Sequence, residues 1–262
     1  MGGVTDFIRI DDRSETSPVV MHVPHASRRI PAEFRSAFVV PPAEVEAELD
    51  ALTDAFTDLI ADAVRGPSRV QHGLSRLLVD VERFPGDEEE MNAVGMGVLY
   101  THGSRGQEIR RPSDSDRAAL LAYFDAYSAA FAVLVERTLE RHGRAVVVDL
   151  HSYPTTPSPY ELHADERRPE ICVGADPFHT APDLLAAVRS AFEGHELLEN
   201  EPFHGSYVPL PLYRRDERVQ SVMLEIRRDL YVDRQGAAVE VSVLDLAHRI
   251  RVLVDELDRP ST

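Results

Sequence analysis

Short runs of consecutive apolar residues recur along the chain and alternate with longer segments whose apolar residues repeat every three to four positions. The runs are nearly continuous, which is typical of strands that are buried on both faces of a helix-covered sheet. They predict strands at 18–23, 77–81, 145–150, 171–174 and 219–226.

The longer periodic segments predict helices at 44–65, 113–141, 182–192 and 237–257. Strands and helices that alternate in this way indicate an α/β fold, with a mostly parallel or mixed sheet flanked by helices. We expect a single domain that spans residues 1–262. The segments 85–107 and 153–169 are rich in Gly or Pro and predict long loops, which are often functional in a compact domain.

Composition narrows the possible partners. The 262 residues include 28 Lys and Arg against 45 Asp and Glu, a formal net charge of -17. This charge disfavours nucleic acids and anionic membranes, since both attract basic surfaces. The N-terminus lacks an apolar signal-peptide core, no apolar run predicts a membrane span, and the single cysteine, Cys172, cannot form an internal disulfide. We therefore expect a cytoplasmic enzyme without nucleic-acid or membrane partners.

Polar residues collect where the predicted strands end. The strand ends read HVPHAS at 22–27, DVER at 80–83, DLHS at 149–152 and EIRR at 225–228. In an open α/β sheet, ligands bind in the crevice at the carboxyl ends of the strands. The sequence therefore predicts a site built from histidines, carboxylates and arginines at this edge.

Histidines and carboxylates in one crevice fit a zinc hydrolase. Catalytic zinc takes three nitrogen or oxygen ligands and leaves one position for water. His151 and His25 are the candidate ligands; His22 is the alternative to His25, although it lies within the strand, where a core histidine is common. Glu225 ends an apolar strand and is the candidate general acid and base, with a structural salt bridge to Arg227 or Arg228 as the alternative.

Arginines near the strand ends are candidates for binding a small anionic substrate, because a guanidinium can hold a carboxylate through two hydrogen bonds. Arg83 is the first candidate, and Arg110 and Arg111 in a predicted loop are weaker ones. For Arg83, an ion pair with a neighbouring acid is the alternative.

Seven segments along the chain resemble the N-formylglutamate amidohydrolase family. They are HVPHASRRIP (22–31), LTDAFTDLIADAV (52–64), VDVERFP (79–85), VVVDLHSYP (146–154), ICVGADPF (171–178), NEPFHGSY (200–207) and LEIRRDLY (224–231). The resemblance implies a fold similar to zinc-dependent carboxypeptidases and aspartoacylases, within the phosphorylase/hydrolase-like folds. It also implies one zinc ion held by two histidines and an acidic residue.

The resemblance further implies site residues. It makes Asp54 the third metal ligand and places Asn200, His204 and Gly205 at the substrate pocket. Asp54 also belongs to an acidic stripe with spacing i, i+4, which is typical of a solvated helix face. If instead a second helix begins at Thr53 and Asp54, the carboxylate of Asp54 would turn inward.

The activity that the resemblance implies is hydrolysis of N-formylglutamate to formate and glutamate, in the setting of histidine degradation. Two alternatives stay open. One is a metallo-carboxypeptidase or an N-acyl amino-acid deacylase with another substrate range. The other is a non-catalytic protein that binds a small acidic ligand in the same crevice.

Overall fold

A single mixed sheet organises the described part of the chain. The computed structural model describes residues 4–161 and 164–259, so that residues 162 and 163 of the predicted 153–169 loop lie outside it. The strands are β1 (Ile8–Asp11), β2 (Val19–Val23), β3 (Ser68–His72), β4 (Ala145–Tyr153), β5 (Ile171–Gly174), β6 (Leu197–Glu199) and β7 (Val219–Arg227). Their order across the sheet is β1-β3-β2-β4-β7-β5-β6.

The four central strands run parallel and bring their carboxyl ends to one edge. β3, β2, β4 and β7 pair in parallel, whereas β1 is antiparallel to β3 and β5 is antiparallel to β7. β6 pairs in parallel with β5. The predicted mixed α/β architecture is confirmed.

Five α-helices cover the sheet in the described ranges. They are α1 (Pro42–Leu52), α2 (Thr57–Ala63), α3 (Asp114–His142), α4 (Pro182–Ala191) and α5 (Glu240–Leu257). A reciprocal pair of hydrogen bonds between Ser113 and Asp116 caps the start of α3, and Gly143 ends the helix in the left-handed conformation (φ 72°).

Strand alternation divides the core between the two faces of the sheet. On β4, Val146 and Val148 point to the face covered by α2, α4 and α5. Val147 points to the opposite face, where α1 and α3 pack. Asp149, His151 and Tyr153 continue the second face, so β4 directs them to the same side as α3.

α3 meets the length and composition expected of a membrane span, in contrast to the sequence-based expectation. Half of its apolar window is buried, and Tyr127, Phe131 and Val135 pack in the core. A core helix of a globular domain passes the same criterion.

The predicted strand at 77–81 is wrong. The residues pack in the core without pairing as a strand, and β3 lies a few residues earlier. Leu77, Leu78 and Val79 are fully buried. In a sequence, a buried irregular segment gives the same continuous apolar run as a buried strand. β3 reads SRVQH and is buried because β1 and β2 flank it.

The predicted helix at 44–65 is interrupted at 53–56. Thr53 adopts an extended conformation, and Phe56 lies in the left-handed region with φ 64°. The Asp54 N–H donates to the carbonyl of His25 at 3.0 Å. The break removes Asp54 from the acidic face of a continuous helix and turns it toward β2.

Candidate functional site

A cavity of about 370 Å³ opens at the carboxyl ends of the central strands. Its walls include β4 and β7 side chains and the loops after β2 and β3. The carboxyl-bearing side chains in the wall outnumber the arginines. The acids are Asp54, Asp80, Glu82, Glu90, Asp149, Glu161, Asp176 and Glu225, and the arginines are Arg76, Arg83 and Arg228.

The three predicted metal ligands meet in this cavity. His25 Nδ1 lies 3.3 Å from His151 Nδ1 and 3.7 Å from Asp54 Oδ2, and His151 Nδ1 lies 3.0 Å from Asp54 Oδ2. All three residues are at least 96% buried. Donors at about 2.0–2.1 Å from a tetrahedral zinc ion lie about 3.3–3.4 Å apart, so these three atoms fit one face of such a site.

Each of the two histidines meets a carboxylate on its far side. His25 Nε2 lies 2.9 Å from Asp80 Oδ1, and His151 Nε2 lies 3.1 Å from Asp149 Oδ1. The Asp80 carboxylate holds the far N–H of His25 and leaves its Nδ1 free to bind a metal. His151 Nε2 lies near Asp149 but has no hydrogen-bond partner among the described residues. The arrangement fits coordination through the Nδ1 atoms.

Glu82 offers a second way to complete a metal site. Its Oε2 lies 3.5 Å from His25 Nε2 and 3.3 Å from His151 Nε2, and the three residues can present donor atoms within 4.8 Å of one another. In this set His25 would give up its 2.9 Å contact with Asp80. The Asp54 set retains that contact, whereas the Glu82 set takes up His151 Nε2, which has no hydrogen-bond partner among the described residues. The two sets are alternative ways to complete the site.

Asp54 and Asp80 are held in their charged form. Burial opposes the ionisation of Asp54, but hydrogen bonds and positive charge from His151 and His25 outweigh it and lower its pKa. Burial also opposes the ionisation of Asp80, whose pKa Arg76, His25 and Arg83 hold well below the usual range. Negatively charged carboxylates beside imidazoles are a donor set that suits a divalent cation such as zinc.

His22 lies behind the site and does not line the cavity. Its Nε2 lies 2.8 Å from the Tyr127 hydroxyl on α3, and its Nδ1 lies 2.9 Å from Asp149 Oδ1. His22 could join a second donor group with Glu82 and Asp149. The geometry nevertheless makes it a link between α3 and Asp149.

Glu225 faces the cavity from β7, where it is the register partner of His151 on β4. It is 9% exposed, and its Oε2 has no hydrogen-bond partner among the described residues. Burial raises the pKa of Glu225 to about 8, because water no longer stabilises the carboxylate. A buried carboxyl group without a partner that borders the cavity is suited to proton transfer.

Three arginines line the cavity. Arg76 donates two hydrogen bonds to Asp80 Oδ2, at 2.7 and 3.2 Å. Arg83, predicted from the sequence, lies 3.4 Å from Asp80, and its Nε has no hydrogen-bond partner among the described residues. Arg228 donates to the hydroxyl and the carbonyl of Ser152 and lies 3.6 Å from Asp54.

Arg110 and Arg111, the other predicted substrate-binding arginines, lie away from the cavity. Arg110 is 1% exposed in the core, where it donates to the carbonyl of Leu78, and burial lowers its pKa to about 9. Arg111 is exposed and pairs with Glu108.

The predicted pocket residues in the loop after β6 have different positions. His204 and Gly205 line the cavity. Asn200 lies outside the wall, where its side-chain oxygen accepts hydrogen bonds from the N–H groups of Ala175 and Gly205 at 2.8 and 3.1 Å. Asn200 therefore holds the loop that carries the other two residues.

Sequence reasoning did not select Arg76, Glu82 or Arg228 as site residues. The signal for Arg76 was its spacing of four from Asp80 within an apolar run, where a charge needs a partner. The signal for Glu82 was its position at the end of the same apolar run. Arg228 lacked a distinguishing signal, since it adjoins Arg227, which pairs with the exposed Asp229.

Comparisons with known proteins show the family and the fold of the chain. The family model of N-formylglutamate amidohydrolase matches residues 17–232. The fold is similar to a crystal structure of N-formylglutamate amidohydrolase from Ralstonia eutropha JMP134, with 21% identity, 95% of this chain and 98% of that chain covered, and a TM-score of 0.78. It is also similar to a gene product from Agrobacterium tumefaciens, with 18% identity, 98% and 95% covered, and a TM-score of 0.71. No curated protein sequence matches significantly.

Proposed function

Since the chain belongs to the N-formylglutamate amidohydrolase family, we propose that it hydrolyses the N-acyl amide of an acidic amino acid with the help of one zinc ion. N-formylglutamate, which would give formate and glutamate, is the reference substrate. The observation that carries the proposal is the meeting of His25, Asp54 and His151 donor atoms within 3.7 Å, beside Glu225.

His25, Asp54 and His151 would hold the metal in this account. A zinc ion in such a site lowers the pKa of a coordinated water and polarises the substrate carbonyl. Asp80 keeps the His25 imidazole oriented from behind, and the Asp149 carboxylate lies beside the far nitrogen of His151.

Glu225 moves the proton. Its raised pKa makes the carboxylate a stronger base than an ordinary glutamate, so it can take a proton from the attacking water. It then gives this proton to the amide nitrogen as the C–N bond breaks, which allows the amino acid to leave as an amine. Arg228, beside Asp54, is positioned to stabilise negative charge on the carbonyl oxygen.

Arg76 and Arg83 would bind the carboxylates of the amino acid. Both guanidinium groups border the cavity, and a planar guanidinium can hold a carboxylate through two hydrogen bonds. This assignment supports an anionic substrate in a protein whose overall charge is -17. We place the reaction in the cytoplasm, as a step of amino-acid metabolism such as histidine degradation.

Replacement of Glu225 by Gln tests the proposal. The amide keeps the shape of the side chain but cannot accept and return a proton, so formate release from N-formyl-L-glutamate should fall by about 10²–10⁴-fold. Zinc content, measured by elemental analysis, should be the same as in the wild type, because Glu225 is not a ligand.

An exposed glutamate outside the cavity provides the matched control. Glu193→Gln should retain wild-type turnover. Unchanged turnover in Glu225→Gln would refute the catalytic assignment. If the wild-type protein bound N-formylglutamate without releasing formate, and Glu225→Gln bound it equally well, the non-catalytic binding protein would be the correct reading.

A further inference from the structure

The two ends of the cavity differ in chemistry, and the strand order fixes their positions. Across the sheet, the strands after β1 follow in the order β3, β2, β4, β7 and β5. The loop after β3 carries Arg76 and Arg83, β4 carries the ligand His151, and β7 carries Glu225. An amide placed between His151 and Glu225 therefore has Arg76 and Arg83 on one side and the β7–β5 wall on the other. Arg228, directly after β7, is hydrogen-bonded to Ser152 of β4.

The β7–β5 wall carries an apolar patch beside the carboxyl groups of Glu225 and Asp176. Met223 lies two residues before Glu225 on the same face of β7, opposite Gly174 of β5. The carbonyl of Phe203 accepts a hydrogen bond from the Cys172 thiol on β5, which places Phe203 against the same strand. The Phe203 ring meets Tyr153 of β4 edge to face, with 5.3 Å between the ring centres. All three side chains line the cavity.

The arginine nearest to this wall is already paired. Arg168 lies over the rings of Tyr153 and Phe203, at 4.9 and 5.8 Å from their centres. It forms an ion pair with Glu161 at 2.6 Å and donates to the carbonyl of Pro154. Arg168 does not line the cavity, so the wall offers rings and a thioether to a ligand.

A formyl group would leave this wall without contacts. The cavity of about 370 Å³ is within the range of about 300–1,000 Å³ that takes drug-sized ligands, whereas the acyl part of N-formylglutamate has a single carbon. Aromatic side chains favour edge-to-face contacts with a second ring, and methionine adapts its shape to the group beside it.

We propose that Tyr153, Phe203 and Met223 form an acyl subsite for an aromatic group, so that the preferred substrate is an N-aroyl acidic amino acid. This inference rests on the proposed function and adds the identity of the acyl group. The reaction is the same hydrolysis: the C–N bond breaks, the water oxygen bonds to the acyl carbon, and the nitrogen gains a proton. N-benzoyl-L-glutamate would give benzoate and glutamate.

The test compares kcat/KM for N-formyl-, N-acetyl- and N-benzoyl-L-glutamate with the zinc-loaded protein. We expect the value for the benzoyl substrate to exceed that for the formyl substrate by about tenfold or more, since each buried methylene equivalent contributes severalfold. A higher value for the formyl substrate would overturn the subsite and leave the proposed function intact. Hydrolysis of none of these substrates would overturn both.

Variants of Phe203 and Met223 test whether the β7–β5 wall is the source of the preference for the benzoyl substrate. Phe203→Leu keeps an apolar side chain but removes the ring, and it should lower the benzoyl-to-formyl ratio of kcat/KM about fivefold. Met223→Ala should lower the same ratio about tenfold.

Met91→Ala is the matched control for the methionine. Met91 lies beside the arginine end, where its N–H donates to Glu89 and Glu89 approaches Arg83. Met91→Ala should leave the benzoyl-to-formyl ratio of kcat/KM within about twofold of the wild type. Met91 lies at the arginine end, so its side chain does not contact the acyl group. Equal ratios in the wild type and both wall variants would overturn the assignment.

Discussion

The surroundings of His151 include buried residues that extend from the cavity wall to α3. Asp149 Oδ1 lies within 3.1 Å of both His151 Nε2 and His22 Nδ1, and His22 in turn contacts the Tyr127 hydroxyl. All four residues are at least 96% buried. These contacts connect α3 through His22 to Asp149, whose carboxylate lies beside the candidate ligand His151.

Replacement of Asp149 by Asn should weaken zinc binding. The amide keeps the shape of the side chain but accepts hydrogen bonds less strongly, and loss of such a partner costs about 10–100-fold in metal affinity. Competition with a chromophoric chelator measures this affinity. Asp62→Asn, on the exposed side of α2, is the control and should bind zinc as the wild type does. Equal affinity in the two variants would contradict the role of Asp149.

The sequence predicted which residue types meet but not every residue that does so. His25, His151 and Glu225 were predictable because parallel strand ends converge on one edge. Arg110 was not, because it follows a loop whose path depends on tertiary contacts, among them the Arg111 N–H to Ala37 carbonyl bond at 2.8 Å. That contact lies in the segment that buries the Arg110 guanidinium in the core.

The loop after β6 reaches the cavity by packing closely on β5. At Gly174 the backbone of this loop approaches so closely that a Cβ would overlap the carbonyl oxygen of Gly205. Asn200 fixes the same loop through the N–H groups of Ala175 and Gly205. The position of Gly205 and His204 in the cavity wall therefore depends on a glycine in β5.

Replacement of Gly174 by Ala should displace this loop. We expect kcat/KM for N-formyl-L-glutamate to fall at least tenfold, while overpacking lowers the free energy of unfolding by about 1–3 kcal/mol. Gly194→Ala separates the two effects, because Gly194 has φ 94° but open space around it. This control should lose stability and keep its kcat/KM. Wild-type activity in Gly174→Ala would show that the loop position is not required.

Tertiary structure explains the elements that were predicted incorrectly from the sequence. Four of the five residues at 77–81 are apolar and buried in an irregular segment, and periodicity alone cannot separate such a run from a strand. The break between α1 and α2 depends on the left-handed conformation of Phe56 and on the hydrogen bond from Asp54 to His25. Neither feature has a glycine or proline to mark it in the sequence.

The interior of the molecule also holds a histidine that remains neutral. His72 is fully buried in β3, where its Nδ1 lies 2.9 Å from the carbonyl of Pro24 and its Nε2 has no hydrogen-bond partner among the described residues. Burial lowers the pKa of His72 to about 3 from an ordinary value of 6.5. Below pH 6.5 the unfolded chain therefore binds a proton that the folded protein does not.

This difference predicts a loss of stability in acid. As the pH falls from 6.5 toward 3, His72 should lower the free energy of unfolding by about 1.4 kcal/mol per pH unit. His72→Asn, whose amide can still donate to Pro24, should lose that part of the slope. Urea unfolding at several pH values measures it.

The other titrating groups contribute equally to the wild type and to His72→Asn. The difference between the two proteins in the slope of unfolding free energy against pH therefore isolates His72. His248→Asn removes an exposed histidine on α5 and should keep the wild-type slope. The same slope in His72→Asn and the wild type would show that His72 is charged in the folded protein.

The central claim is that one zinc ion at His25, Asp54 and His151 supports amide hydrolysis. The most direct measurement is formate release from N-formyl-L-glutamate as zinc is added stepwise to metal-free protein. We expect negligible release without zinc and a linear rise that stops at about one equivalent per chain. Full activity of the metal-free protein, or no activity at any zinc concentration, would contradict the account.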